Sequence, residues 1–480
     1  MAASREPMSN VDTAWLRMEH PTNLMMISGI LVFDAPIDFD RLRTLVKERL
    51  LIYDRFRQKV LHHHTHVKHP EWVEDTDFDL DRHLVRLTLP ESDQNDSLLE
   101  KISELMSEPL DYDRPLWQFH IIENYKGGCV VIGRIHHCIG DGTVLIRVLL
   151  SLTDEKPDGP GSTYLPAAHA NRDSRGRKRT EADPRIDSSR KTWRYGVEWV
   201  RRHHRHDPAI LGKALKMGAK GVVTVGKLAF RPTDPKTRYR GALGKKKLGV
   251  WSKPISLTDI KAIGKATGGT VNDVLITAML GALRRYLEHH GDDTAGLDFH
   301  AAVPVNLRPP TGPIELGNHF GLVFPLLPVG VTDPMERIRI MKERMEEIKN
   351  SPEAMITLGA LYAAGVVPQE IQDLVVNFLG AKTTAVMTNV PGPRQTLYMA
   401  GAPLRHIVFW VPQSGRVGLG ISIMSYDGEV TLGVACDAAL VPDPERIIDA
   451  FHEEFDALRT LAGLPVDDAP PAQQGKAASS

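Results

Sequence analysis

Arg134-Ile135-His136-His137-Cys138-Ile139-Gly140-Asp141-Gly142 closes an apolar run that begins at Cys129. The run reads as a strand from Cys129 to Ile135, and Gly140 and Gly142 permit a sharp bend before a helix that begins near Thr143. Side chains alternate along a strand, so His136 and His137 face opposite ways and at most one of them addresses a shared cavity. Asp141 stands where it can cap the helix or fix the loop. An imidazole, with an ordinary pKa of about 6.5, is the side chain best suited to take a proton near neutral pH. The bland alternative is a pair of histidines satisfied by backbone hydrogen bonds at a strand end, and spacing alone does not separate the two.

Metal binding fits this stretch poorly, although His136, His137, Cys138 and Asp141 are all possible ligands. Adjacent residues on a strand diverge, whereas zinc needs side chains that converge, as two histidines one helical turn apart do. No metal is assigned. The histidines at 62, 63, 64, 66 and 69 read as a solvated turn. Covalent catalysis finds no GxSxG elbow, and Cys138 falls on the strand face opposite His137, so a direct single-displacement transfer fits better.

Outward from the motif, strands and helices alternate. Strands are predicted over 30–33 and 117–124, and helices over 39–51, 97–106 and 143–152, the first carrying Phe39, Leu42, Leu45, Val46 and Leu50 at helical spacing. This is the pattern of an α/β sandwich. Past Lys247 the alternation returns. Strands are predicted over 248–255, 299–306, 318–327, 383–389 and within 406–434, and helices over 256–266, 271–289 and 334–349. The expected organisation is an N-terminal half at 1–155, a basic linker or crossover at 156–247, a C-terminal half at 248–465 and a tail at 466–480. The linker opens on Pro157, Gly159, Pro160 and Gly161 and carries Arg172, Arg175, Arg177, Lys178 and Arg179. Within it, Trp193, Tyr195 and Trp199 alternate with arginines, and 210–230 is apolar and basic, which reads either as a helix packed on the protein or as a membrane-surface helix.

Composition sets the outer bounds. With 59 basic and 60 acidic residues in 480, the chain lacks the charge footprint of a dedicated nucleic-acid binder. Three scattered cysteines, Cys129, Cys138 and Cys436, build neither a disulfide framework nor a CxxC metal site, which fits a reducing cytoplasm. The N-terminus shows no signal-peptide core, and no run of roughly 18 apolar residues occurs, so a membrane span is not expected.

The motif His136 to Gly142 resembles the HHxxxDG signature of the bacterial wax ester synthase/diacylglycerol acyltransferase family, a signature shared with condensation domains and chloramphenicol acetyltransferase-like proteins. Met8 to Leu16, Trp72 to Asp75 and Phe78 to His83 resemble that family's N-terminal segments. Pro115-Leu116-Trp117 matches its PLW motif, Asn272-Asp273 its ND motif, and Val303 to Arg308 and Asn389 to Pro393 two further segments. The likeness runs through nearly the whole chain in order.

The resemblance implies two chloramphenicol acetyltransferase-like α/β halves facing each other across a central tunnel. His137 would be the general base, with His136, Asp141 and Gly142 completing the motif. Acyl-CoA would enter from one side as a substrate, with no cofactor, and diacylglycerol or a long-chain alcohol from the other, at a membrane or lipid-droplet surface. Asp141 would order the motif through Arg308. Asn272 would help to stabilise the oxyanion or hold the site, and Asp273 and Pro115, Leu116 and Trp117 are expected to be architectural. Two other functions compete: a condensation-type enzyme that draws its acyl group from a carrier protein, and a lipid-surface protein with a vestigial site.

Overall fold

The computed structural model describes residues 5–61, 69–159, 231–308, 315–349 and 351–465. In chain order these form β1 (Arg5–Pro7), α1 (Asn10–Arg17), β2 (Met26–Phe33), α2 (Phe39–Leu45), β3 (Gln58–Leu61), β4 (Glu71–Glu74), β5 (Leu84–Leu87), α3 (Gln94–Ser107), β6 (Trp117–Tyr125), β7 (Gly128–His136) and α4 (Gly142–Leu150). The second part holds β8 (Lys247–Trp251), β9 (Ile255–Ser256), α5 (Leu257–Thr267), α6 (Val271–His289), β10 (Phe299–Asn306), β11 (Phe320–Val323), β12 (Leu326–Leu327), α7 (Pro334–Lys349), α8 (Glu353–Ala364) and α9 (Gln369–Gly380). It ends with β13 (Ala385–Pro391), β14 (Tyr398–Met399), β15 (Ala402–Trp410), β16 (Leu419–Tyr426), β17 (Glu429–Asp437) and α10 (Glu445–Leu461).

Two large sheets carry the architecture. One runs in the order β14-β15-β2-β7-β6-β5, the other β11-β10-β13-β16-β17-β8, and β12 and β9 pair at the flanks of the second. The mixed α/β class expected from the sequence is the class observed. The first sheet is not drawn from the N-terminal half alone, because β15 pairs antiparallel with β2, from Leu404 opposite Phe33 to Trp410 opposite Ser28. A segment of the expected 248–465 half therefore completes the sheet that presents the histidine motif. Residues 231–246, expected in the linker, pack into the C-terminal half: Asp234 bonds the His300 backbone N–H at 2.9 Å and Thr384 Oγ1 at 2.7 Å. Tyr239 is fully buried there, and its hydroxyl donates to the Leu283 carbonyl at 2.8 Å.

Where single strands were expected over 248–255 and 318–327, two shorter ones occur in each case, with a proline at the break. Pro254 lies between β8 and β9 and Pro325 between β11 and β12, each removing one N–H from the ladder at the break, whereas Pro304 is accommodated within β10 opposite Leu322. The helix expected over 39–51 ends at Leu45 and continues as one π-helical turn, Val46–Leu50. Asn318 and His319, expected in a strand, lie ahead of β11, and their backbone N–H groups bond to side chains instead. The histidines at 62, 63, 64 and 66, the apolar-basic stretch 210–230 and the tail 466–480 lie outside the described residues.

Each sheet has its own apolar core, one around Trp72, Trp117 and Phe33 and the other around Tyr286, Phe299 and Phe451. A third cluster, with Leu98 and Ile102 of α3, Val408 and Trp410 of β15 and Ala435 of β17, joins them. Burying side chains of this size stabilises by about 1.5–3 kcal/mol each, so the join is a substantial part of the fold. A fourth, smaller cluster of Val11, Trp15, Met18, Met25 and Phe320 packs α1 against β11, next to the histidine motif.

Candidate active site

Strand β7 ends at His136, and α4 starts six residues later at Gly142. Asp141 caps α4, its Oδ1 accepting from the Val144 N–H at 3.0 Å. Gly140 is required for space, since a Cβ there would stand 2.6 Å from Val144 Cγ1. Gly142 is different: a Cβ at this position would meet nothing within 4 Å, because it borders a cavity.

The turn is tied to the C-terminal half. Gly317 N–H donates to the Ile139 carbonyl at 2.9 Å, and Asp141 Oδ2 accepts from the His319 N–H at 3.1 Å. The Arg308 guanidinium forms an ion pair with the same carboxylate. Asp141 borders the chamber, but both of its carboxylate oxygens are taken by protein partners, one of them the arginine that the family likeness suggested.

The two histidines part company at the strand end. His136 is fully buried, its Nε2 3.0 Å from Glu19 Oε2 and 3.3 Å from the Tyr112 hydroxyl, while its Nδ1 accepts from the Cys138 N–H at 3.1 Å. It does not line the cavity. Burial pushes the Glu19 carboxyl up, but the hydrogen bond and charge of His136, with the Met25 N–H, outweigh that and hold it below its ordinary value.

His137 lines a chamber of about 520 Å³ with Trp15, Ile27, Asp141, Gly142, Ile146, Phe320, Asn389 and Phe409. Its ring stacks on Trp15 with centroids 4.1 Å apart and planes 17° apart, and Phe320 leans on it at 5.6 Å. Burial drives its pKa down to about 4, against the opposing charge of Asp141, its own backbone carbonyl and the Asn318 side chain. The ring is therefore neutral at physiological pH and carries a free lone pair. Its Nδ1 is shielded and has no hydrogen-bond partner, which leaves Nε2 as the nitrogen the chamber can reach.

Next to the chamber runs a narrow apolar crevice of about 60 Å³ between α4 and the first sheet, lined by Leu31, Leu42, Phe119, Leu145 and Leu149 among others. Ile27, Gly142, Ile146 and Phe409 line both spaces, so the two adjoin.

The other predicted residues fall around this centre. Asn272 accepts from Asn389 Nδ2 at 3.1 Å, which ties it to a wall residue without placing it on the wall itself. Asp273 closes a capping box on α6 with Thr270. Leu116 and Trp117 are buried; the Leu116 carbonyl accepts from the His136 N–H at 2.9 Å, and the Trp117 indole donates to the Phe56 carbonyl at 2.9 Å. Pro115 starts this brace. Trp15, Glu19, Asn318 and Phe320 were not singled out from the sequence. A capping pattern at Ser9 and Asp12 marks the helix bearing Trp15, whereas no local signal marks Asn318.

All three cysteines are free and buried. Among the described residues no group of three or more His, Cys, Asp or Glu side chains is placed to hold a metal, and no helix is long and apolar enough to cross a membrane.

Known proteins match this chain along its length. The description of a wax ester synthase/diacylglycerol acyltransferase catalytic domain fits residues 8–275, and that of a WS/DGAT C-terminal domain fits residues 316–459. A Mycobacterium tuberculosis protein named as a probable diacylglycerol O-acyltransferase is 24% identical over 460 residues, covering 93% of this chain and 94% of its own length. Among solved structures, a wax ester synthase/diacylglycerol acyltransferase from Marinobacter aquaeolei VT8 superimposes with a TM-score of 0.67 at 22% identity, over 96% of this chain and 100% of its own. The starter condensation domain of rhizomide synthetase shares the fold at a TM-score of 0.57 and 13% identity, over 97% of this chain and 96% of its own. With both domain descriptions matched in order and the histidine turn set on a chamber between the two sheets, the chain belongs to the wax ester synthase/diacylglycerol acyltransferase family.

Proposed function

We propose that the protein transfers a long-chain acyl group from acyl-CoA to diacylglycerol or a long-chain alcohol, yielding triacylglycerol or a wax ester and free CoA. The observation that carries this reading is the neutral imidazole of His137 on the wall of the chamber of about 520 Å³, a volume suited to a substantial organic substrate. His137 Nε2 takes the acceptor's hydroxyl proton as its oxygen attacks the thioester carbonyl. The tetrahedral intermediate then collapses, the C–S bond breaks, and the imidazolium returns the proton to the departing sulfur. No acyl-enzyme is needed. Burial pushes the Cys138 thiol far above its ordinary pKa, which removes the nearest thiolate from consideration.

The apolar crevice beside α4 supports a chain-binding role, since only hydrocarbon gains by lying against such a lining. It is narrow at rest, and an acyl chain would have to spread α4 from the sheet to occupy it. Peripheral contact with a lipid surface belongs to the same reading. It is supported by Met355, Ile371, Leu374, Val375 and Phe378, large apolar side chains exposed on α8 and α9. Flotation of the full chain with phospholipid vesicles should weaken in Leu374→Glu; flotation unchanged by the charge removes α9 from the contact.

The test of the activity is CoA release by the purified chain. It should require both an acyl-CoA and a hydrophobic alcohol, persist in chelator, and give the matching ester by lipid analysis. Release only from an acylated carrier protein would move the chain to condensation-type chemistry, and no turnover with either donor would end the enzymatic reading.

A further inference from the structure

Behind the imidazole lies a buried polar chain that links the two halves. Asn318 is 5% exposed, and its Nδ2 donates to Asp12 Oδ1 at 2.8 Å and to the backbone carbonyl of His137 at 2.7 Å. Both of its amide hydrogens are thereby used, so the orientation of the carboxamide is set by two acceptors. Asp12 is itself fixed: it receives the Ser9 hydroxyl at 2.7 Å and the Asn318 N–H at 3.0 Å, from a helix whose next turn supplies Trp15 to the ring. Two buried polar atoms are left over, His137 Nδ1 and Asn318 Oδ1, and neither has a hydrogen-bond partner. Leaving such atoms unpaired costs about 1–3 kcal/mol each, and a ring N–H and an amide oxygen on residues already joined through a carbonyl can satisfy one another after a small rotation.

We propose that Asn318, anchored by Asp12, is a positioning residue that holds His137 as the Nδ1-protonated tautomer and so presents Nε2 bare to the chamber. The clamp acts through the imidazole and touches no substrate. Nδ1 finds its acceptor in Asn318 Oδ1, the ring is confined by Trp15 and Phe320, and the lone pair can point only toward the acceptor hydroxyl. The charged and titratable groups around the ring are Asp141 with Arg308 and His319 from the C-terminal half, His136 and Cys138 from its own turn, and Asp12 with Arg55 behind α1.

This inference rests on His137 being the general base, and its test separates the two ideas. In substrate-free protein with ¹⁵N-labelled histidine, the resonances lost in His137→Ala identify the ring. They should show a neutral imidazole protonated at Nδ1 in the wild type, and a mixed or Nε2-protonated ring in Asn318→Ala. In turnover, Asn318→Ala should lower kcat by at least about tenfold, the scale of one or two hydrogen bonds, with KM for donor and acceptor within about threefold. The acid limb of its pH profile should move as well. Asn318→Asp keeps an acceptor for Nδ1 but loses the donors to Asp12 and the His137 carbonyl, so its ring should stay Nδ1-protonated while the added charge raises the acid limb; Asp12→Asn, which keeps an acceptor for Nδ2, should lose less than Asp12→Ala. A wild-type ring protonated at Nε2, or an Asn318→Ala enzyme with unchanged tautomer and kcat within twofold, overturns the clamp. Because the tautomer is read without substrate, it judges the clamp even if no acyl transfer is found.

Discussion

His136 spends both ring nitrogens on partners, Glu19 and the Cys138 N–H, inside packed protein. The next residue sets its ring against an aromatic wall and keeps one nitrogen toward open volume. One residue along a strand end separates a saturated imidazole from an available one, because successive side chains take opposite faces. The lesson is that a buried histidine serves as a base where its surroundings leave a lone pair unclaimed, and as a brace where they do not.

The sharpest way to test that contrast is to remove the available ring. His137→Ala should lower CoA release roughly 10²–10⁴-fold, the range of general-base catalysis, with little change in thermal midpoint; turnover within tenfold of wild type would break the assignment. Next in size is the tie that holds the turn to the opposite half. Arg308→Ala leaves the Asp141 carboxylate buried without its cation and should destabilise by about 3 kcal/mol in denaturant titration.

His136→Ala should act the other way round from His137→Ala. It leaves the Glu19 carboxylate with the Met25 N–H but without its imidazole partner and costs about 1–3 kcal/mol of stability, while activity per folded molecule falls less than tenfold. The mildest probe is pH. The active ring is neutral, and burial lowers its pKa to about 4, so kcat/KM should stay flat as pH falls from 7 toward 5 and then drop through about 4. Folding stability has the same sign. His120, also held down to about 4, resists protonation only when folded, so stability is complete above about pH 6.5 and declines as pH falls from there toward 4. An acid limb near 6.5 would place the titrating ring in water.

Much of this centre was legible in the residues. The strand, the glycine turn and the divergence of two adjacent histidines follow from local geometry, and the observed β7 and α4 start and end within two residues of the expected bounds. Helices 271–289 and 334–349 and strand 299–306 match in full, since each carries an uninterrupted period. What sequence could not carry is pairing at a distance. Asn318 meets Asp12 across 306 positions, and nothing in the neighbourhood of either announces the other. The helix over 445–461 was missed although Ile447, Phe451, Phe455 and Leu458 lie at helical spacing, as was α9 although Ile371, Leu374, Val375 and Phe378 do too, whereas the apolar residues of α8 are spread around the helix.

The pairing of β15 with β2 also dictates an order of assembly. During synthesis the free edge of β2 must wait for residues 402–410 to leave the ribosome, and over that interval it is an open template for another nascent chain. A gene cut between the two expected halves would accordingly yield an N-terminal fragment that aggregates alone and becomes soluble only when the complementary fragment is made beside it.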